Sequence, residues 1–326
     1  MAAAATESGP HTRRVRFGIQ IEPQFGFTYD DVKQIAIDAE TLGADALWVS
    51  DHLFLNNDSA KTDCLEAWTL LAALSQVTTT LRLGTMVTCQ SYRNPALLAK
   101  IAAGADRMSQ GRLEFGIGTG WKELEYRAYG YEFPPPGRRI EQLIDTIEIC
   151  RRMWSEDRAT YHGKHYRIDD AQCMPKPAQR PLPMWIAGSK PRLMRVAARY
   201  ADAVNVGGWP LPDAYAESIA QLEAACTKIG RDPAAILRSQ FGPVLVAENA
   251  ARVEEMVRDL AARAKITPDE WRARRRGHPV GTPDQVADAL RAYARMGVSY
   301  LIPVFPFGYD RECLRVFAQQ VIPALP

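Results

Sequence analysis

The sequence predicts an α/β chain whose eight parallel strands alternate with helices and close into a (β/α)8 TIM barrel with an insertion region. Three observations predict it. First, Leu81 to Trp121, LRLGTMVTCQSYRNPALLAKIAAGADRMSQGRLEFGIGTGW, reads as strand, loop, helix, strand and glycine turn. Two strands joined by a helix must lie parallel. Second, about eight strand segments recur along 326 residues, enough for a barrel of ~250 residues plus insertions. Third, no G-x-G-x-x-G fingerprint follows the first strand, which tells against a doubly wound open sheet.

Each element has a local reason. Val15 to Glu22, VRFGIQIE, is an apolar strand stopped by Pro23. Tyr29 to Leu42 is a helix with Val32, Ile35, Ala36, Ala39 and Leu42 at helical spacing, ended by Gly43. Ala46 to Ser50 is the second strand, followed at once by Asp51 and His52. Leu53 to Asp63 is a polar loop long enough to cover a site, and Leu65 to Val77 is a helix. Leu81 to Val87 is the third strand. Asn94-Pro95 suits a cap followed by the first helical position, with Leu97, Leu98 and Ile101 on the apolar face. Gly111 stops that helix, and Arg112 to Ile117 is the fourth strand, ending in glycines around Thr119.

Beyond Trp121 the chain runs through a short turn and the prolines 134–136 into a helix over Ile140 to Trp154. Thr160 to Ile168 reads as a hairpin around Gly163, which breaks the alternation and marks an insertion around 156–182. The alternation then resumes. Strands are expected at Pro183 to Ala187, Ala203 to Val206, within Ile236 to Val246, and at Tyr300 to Phe305. Helices are expected at Arg192 to Tyr200, Pro212 to Ile229, Glu254 to Ala264, Thr282 to Met296, and Cys313 to Val321. The cluster Arg272, Arg274, Arg275 and Arg276 near His278 reads as a solvated loop.

Composition narrows the function. A formal charge of +2 provides no strong field for nucleic acid or a membrane surface. No apolar run reaches the ~18 residues of a membrane span. The six cysteines are scattered without a C-x-x-C pair, which suits reduced thiols in the cytoplasm and gives no metal site. Residues 1–14 read as a disordered tail and 15–326 as one barrel domain.

In such a barrel the chemistry sits at the C-terminal ends of the strands. That rule collects Ser50, Asp51 and His52; Met86, Val87, Thr88 and Cys89; Gly118, Thr119, Gly120 and Trp121; Gly188, Ser189 and Lys190; and Asn205, Gly207 and Gly208. His52 can move a proton near neutral pH, or simply satisfy a strand-end carbonyl. Gly188-Ser189-Lys190 opens a helix and could hold phosphate, or be an ordinary turn. The glycines around Thr119 allow a backbone to approach a flat ligand, or make a tight turn. Glu123 and Glu125 could supply an acid, although glutamates early in a helix are commonly just solvated. Trp48, Phe54, Trp121, Tyr126 and Trp209 suggest an aromatic mouth for a medium-sized organic molecule.

The segments ALWVSDH, LRLGTMVT, NPALLAK, DRMSQGRLEFGIGTGW, MWIAGSKP and GTPDQVADAL resemble the luciferase-like monooxygenase superfamily, and within it the group that uses the deazaflavin coenzyme F420. The resemblance runs from about Val15 to the C-terminus. It implies the bacterial luciferase-like barrel with F420 in its mouth, Asp51 and His52 touching the coenzyme, and His52 exchanging the proton. Met86-Val87 matches the family's non-proline cis peptide behind the ring. Thr88, Gly118, Thr119 and Gly120 would line the coenzyme; Gly188, Ser189 and Lys190 would hold its phosphate, with Gly207 and Gly208 nearby. The implied activity is hydride transfer between F420 and a small-molecule substrate by a homodimer. The same resemblance admits an FMN-dependent two-component monooxygenase fed by a reductase partner, and a barrel without catalysis is a third reading. One departure stands out: the family's sugar-phosphate dehydrogenases carry a catalytic glutamate directly after the Gly-Thr-Gly turn, and here that position is Trp121.

Overall fold

The computed structural model describes residues 15–326. The tail read at 1–14 lies outside them. Eight strands follow the alternation expected: β1 (Arg16–Ile21), β2 (Ala46–Val49), β3 (Arg82–Thr85), β4 (Leu113–Gly118), β5 (Met184–Ala187), β6 (Ala203–Gly207), β7 (Leu237–Pro243) and β8 (Tyr300–Val304). Each pairs in parallel with the next, and β8 pairs with β1, so the ring closes. A two-residue strand, Thr88–Cys89, continues β3 past an interruption and pairs with the end of β4.

Eleven helices accompany the strands among the described residues. They are α1 (Tyr29–Thr41), α2 (Ala67–Leu74), α3 (Pro95–Met108), α4 (Glu123–Ala128), α5 (Pro136–Ser155), α6 (Pro191–Tyr200), α7 (Pro212–Lys228), α8 (Ala250–Arg263), α9 (Pro268–Ala273), α10 (Pro283–Arg295) and α11 (Asp310–Val316). Caps explain several starts. Thr28 and Thr267 form capping boxes with Asp31 and Glu270, and the Asn94 side chain accepts from the Ala96 amide at 2.9 Å. The hairpin of the insertion pairs Ala159–His162 with Arg167–Ala171 in antiparallel fashion.

Three readings need correction. Leu97 points outward on α3, and the buried face is Leu98, Ala99, Ala102, Ala103 and Ala105. The turn after Trp121 is the short helix α4. The arginine cluster begins on α9 with Arg272, and Arg275, just beyond the helix, lies over the Trp271 ring at 4.0 Å. On α3 buried alanines outweigh the leucine, and at α9 the Thr267 capping box starts a helix.

Inside the ring, large side chains fill the lower half. Trp48, Trp185 and Tyr300 meet edge-on, with ring centroids 4.6 and 5.3 Å apart. They fit because the neighbouring strands β1 and β3 carry Gly18 and Gly84, where an added Cβ would stand 2.8 and 2.7 Å from them. Beneath, the buried Glu114 accepts from Trp185 Nε1 at 2.5 Å and pairs with Arg82. Burial pushes the Glu114 carboxyl up, against the pull of Arg82. With the floor blocked, open space remains only toward the C-terminal rim.

Gly116 on β4 tests how closely the ring is packed. A Cβ there would fall 1.9 Å from the Thr85 carbonyl oxygen, which belongs to backbone and cannot swing aside. Gly116→Ala should therefore cost at least about 3 kcal/mol, at the upper end for overpacking. A denaturant melt checks this, and an unchanged midpoint would contradict the close β3–β4 approach.

Candidate functional site

The rim holds a cavity of about 510 Å³ lined by the ends of seven of the eight strands and the loops that follow them. His52 stands three residues beyond β2. Met86 and Val87 interrupt β3, and the bond between them is cis. Gly118 ends β4, Thr119 and Gly120 follow it, Gly188 follows β5, and Gly207 ends β6; all line the same space. Gly120 has φ of 71°, and a Cβ there would meet the Tyr126 hydroxyl at 2.1 Å and Cys89 Sγ at 2.6 Å, so the turn requires glycine.

The predicted contacts divide on inspection. Asp51 lines the cavity, but both its oxygens are engaged: Arg93 donates at 2.7 and 2.9 Å, and the Cys89 amide at 2.9 Å. Thr88 lies fully buried behind the wall, its hydroxyl 2.7 Å from that of Thr85, and is not among the lining residues. Ser189, Lys190 and Gly208 also lie outside the lining set, with Ser189 and Lys190 exposed where α6 begins. Cys89 is part of the wall: its thiol sits 3.1 Å from the Tyr126 hydroxyl, and burial pushes it up to about 12.

The two glutamates part company. Glu123 is exposed, pairs with Arg127 one turn on at 2.6 Å and does not line the cavity, so the structure gives it no place in the chemistry. Glu125, two residues along α4, is fully buried. Its Oε1 accepts from the Leu53 amide at 2.8 Å, the Phe54 amide at 3.2 Å and the Lys122 ammonium at 3.2 Å. Its Oε2 accepts from the Tyr92 hydroxyl at 2.8 Å and lies 2.9 Å from His52 Nδ1. Burial pushes its carboxyl up, but the His52 bond and charge, the Leu53 amide and Tyr92 outweigh it and bring it down to about 2. A carboxyl so held is a poor proton donor, which corrects the reading of Glu125 as an acid. Sequence offered no sign of this, because the donors come from residues 52–54 and 92, far away along the chain.

The aromatic mouth also needs revision. Trp48 belongs to the barrel floor, and Tyr126 and Trp209 are buried. Trp121 is the exposed one, 72% accessible, with its ring edge-on to His52 at 5.6 Å between centroids. Phe54 stacks on Tyr129 at 6.2 Å across the rim, with the Lys122 ammonium over its ring at 5.3 Å. Sequence reasoning did not single out Gln20, Glu22 and Phe241, which also line the cavity. The regular alternation of β1 and β7 into the barrel was the available signal.

His52 beyond the end of β2, the interruption of β3 at Met86-Val87 and the glycine turn after β4 thus share one rim cavity. Residues 4–300 match the family described as luciferase-like monooxygenase, and the chain belongs to it. Among its relatives is an F420-dependent glucose-6-phosphate dehydrogenase of Kineococcus radiotolerans (strain ATCC BAA-149 / DSM 14245 / SRS30216), 28% identical over 92% of this chain and 94% of that one. A phthiodiolone/phenolphthiodiolone dimycocerosates ketoreductase of Mycobacterium bovis (strain BCG / Pasteur 1173P2) is 28% identical over 74% of this chain and 69% of that one. Among solved structures, an F420-dependent secondary alcohol dehydrogenase in complex with an F420-acetone adduct superposes with a TM-score of 0.80 at 20% identity, over 96% of this chain and 99% of that one.

Glu125 gives the stability a pH dependence. Folding lowers its pKa from 4.5 to about 2, so the stabilisation is complete above about pH 4.5 and is lost as pH falls toward 2. Between about pH 7 and about pH 3, wild type should lose more stability in urea than Glu125→Gln. Equal losses would contradict the ionised state.

Proposed function

We propose that the chain is an oxidoreductase that uses coenzyme F420, with His52 exchanging the proton that accompanies hydride transfer to or from an organic substrate. The observation that carries this reading is the convergence of His52, the cis Met86-Val87 wall and Gly118–Gly120 on one cavity. The F420-dependent relative matched over nearly its whole length supports it.

The residues present fit a flat polar coenzyme. Gln20 Oε1 and Asn205 Oδ1 line the cavity, buried and without a partner, and buried polar atoms in native proteins are otherwise satisfied. Gly118 lets the Val87 side chain lie against β4: a Cβ there would meet Val87 Cγ2 at 2.6 Å. In this reading Met86, Val87 and Gly118–Gly120 would back the ring, and Gly188 to Lys190, at the start of α6, would hold the phosphate, with Gly207 and Gly208 beside them. When bound, the coenzyme supplies the hydride chemistry.

The chain's own residues do the remaining work. His52 presents its imidazole to the cavity and takes or gives the proton. Trp121 stands at the edge of that imidazole and would cover the substrate from solvent. Asp51, locked to Arg93, keeps the loop after β2 against the Cys89 backbone. The Lys122 ammonium is committed to the Phe54 carbonyl and Glu125. It is the only lysine or arginine among the described lining residues. That pairing, together with Trp121 in place of glutamate, favours an uncharged organic substrate over a sugar phosphate.

Titration with F420 and with FMN, in both redox states, tests the reading: F420 should bind, and tight FMN binding without F420 binding would overturn it. His52→Ala should lower turnover by about 10²–10⁴-fold while leaving coenzyme affinity within a few fold, as expected for loss of a general acid–base group. Unchanged turnover would remove His52 from the mechanism.

A further inference from the structure

We infer that Glu125 is a positioning residue that fixes the tautomer of His52: Nδ1 carries the ring proton, and Nε2 is the atom that exchanges a proton in the cavity. The inference rests on the reading of His52 as the proton-handling residue and adds to it the atom and the device.

The argument is one of donors and acceptors. Two backbone amides and an ammonium point at Glu125 Oε1, at 2.8, 3.2 and 3.2 Å, and none of them can reverse its role. The Tyr92 hydroxyl takes one side of Oε2 at 2.8 Å. Four hydrogen bonds from these groups keep the carboxyl ionised, and an ionised carboxylate only accepts. The remaining neighbour, His52 Nδ1 at 2.9 Å from Oε2 and 3.1 Å from Oε1, must then be the N–H side of the ring. The lone pair is left on Nε2. That atom has no hydrogen-bond partner among the described residues, and His52 lines the cavity.

The placement is also held from behind. The Cys64 thiol donates to the His52 carbonyl at 3.3 Å, so both main chain and ring are tethered. The consequence for chemistry is directional. When a substrate O–H breaks, its electron pair stays on oxygen, its proton bonds to Nε2, and the resulting imidazolium sits against a carboxylate that is already ionised. In reverse, Nε2–H returns the proton to that oxygen. Glu125 keeps its charge throughout and never touches the substrate.

Long-range ¹H–¹⁵N spectra of the ¹⁵N-labelled chain, without coenzyme and at a pH where the imidazole is neutral, read the tautomer directly. Wild type should show His52 protonated on Nδ1, and a ring protonated on Nε2 would overturn the inference. In Glu125→Gln, the amides of Leu53 and Phe54 hold the new side-chain oxygen and leave its NH2 facing the ring. The spectrum should move toward the Nε2–H form, and kcat should fall by at least about 100-fold with KM and coenzyme affinity changed less than about threefold. Tyr92→Phe removes one donor but not the charge and should keep the wild-type tautomer. An unchanged tautomer in Glu125→Gln would also overturn the inference. The wild-type spectrum needs neither a variant nor F420, so it decides this point even if Glu125→Gln fails to fold. Failure to bind F420 would sink the coenzyme reading alone.

Discussion

One buried carboxylate organises the rim of this barrel. Glu125 gathers backbone from the loop after β2, a hydroxyl from the loop after β3 and an ammonium beside its own helix after β4. Taking an ionised carboxylate out of water costs several kcal/mol unless donors replace the lost hydration. Five groups do so here. The loops are therefore not independent: whatever loosens one leaves Glu125 with an unmet charge and releases the other two. His52 is one of the five groups, so the residue proposed to exchange the proton is held by the interaction that holds the rim together.

The lower barrel makes the cavity shallow and gives it its direction. The Trp48–Trp185–Tyr300 layer, with Glu114 and Arg82 under it, closes the N-terminal half. Above that layer the lining is backbone at Gly118 and Gly120 and unmatched polar atoms at Gln20 and Asn205. An apolar floor excludes water from below, and the two partnerless amide oxygens mark where a ligand's polar edge can be met. The same division between stability at one end and chemistry at the other is general to this architecture.

The barrel was legible because its punctuation is local. Asn94-Pro95 caps α3, Gly43 and Gly111 end helices, and strand segments recur between them, so order and direction follow from short stretches. His52 and the Gly118–Gly120 turn were legible for the same reason: each stands directly after a strand. What stayed hidden depends on distance. Nothing around Glu125 shows that residues 52–54 and 92 will surround it, and its neighbour Glu123 has a similar local setting but ends in solvent. Trp48 reads as mouth from the sequence but belongs to the floor, because every residue of β2 is buried and alternation carries no contrast. Leu97 misled for the opposite reason: α3 buries alanines and leaves a leucine outside.

The ionisation of Glu125 is the claim on which the rim, the histidine and the proton chemistry all rest. Titration of its side-chain carbon by ¹³C NMR in the glutamate-labelled protein measures it most directly. The structure calls for a midpoint of about 2, with the carboxylate charged at neutral pH. A midpoint at or above the ordinary 4.5 would show that the donors around Glu125 do not hold it as described, and the account built on it would fail.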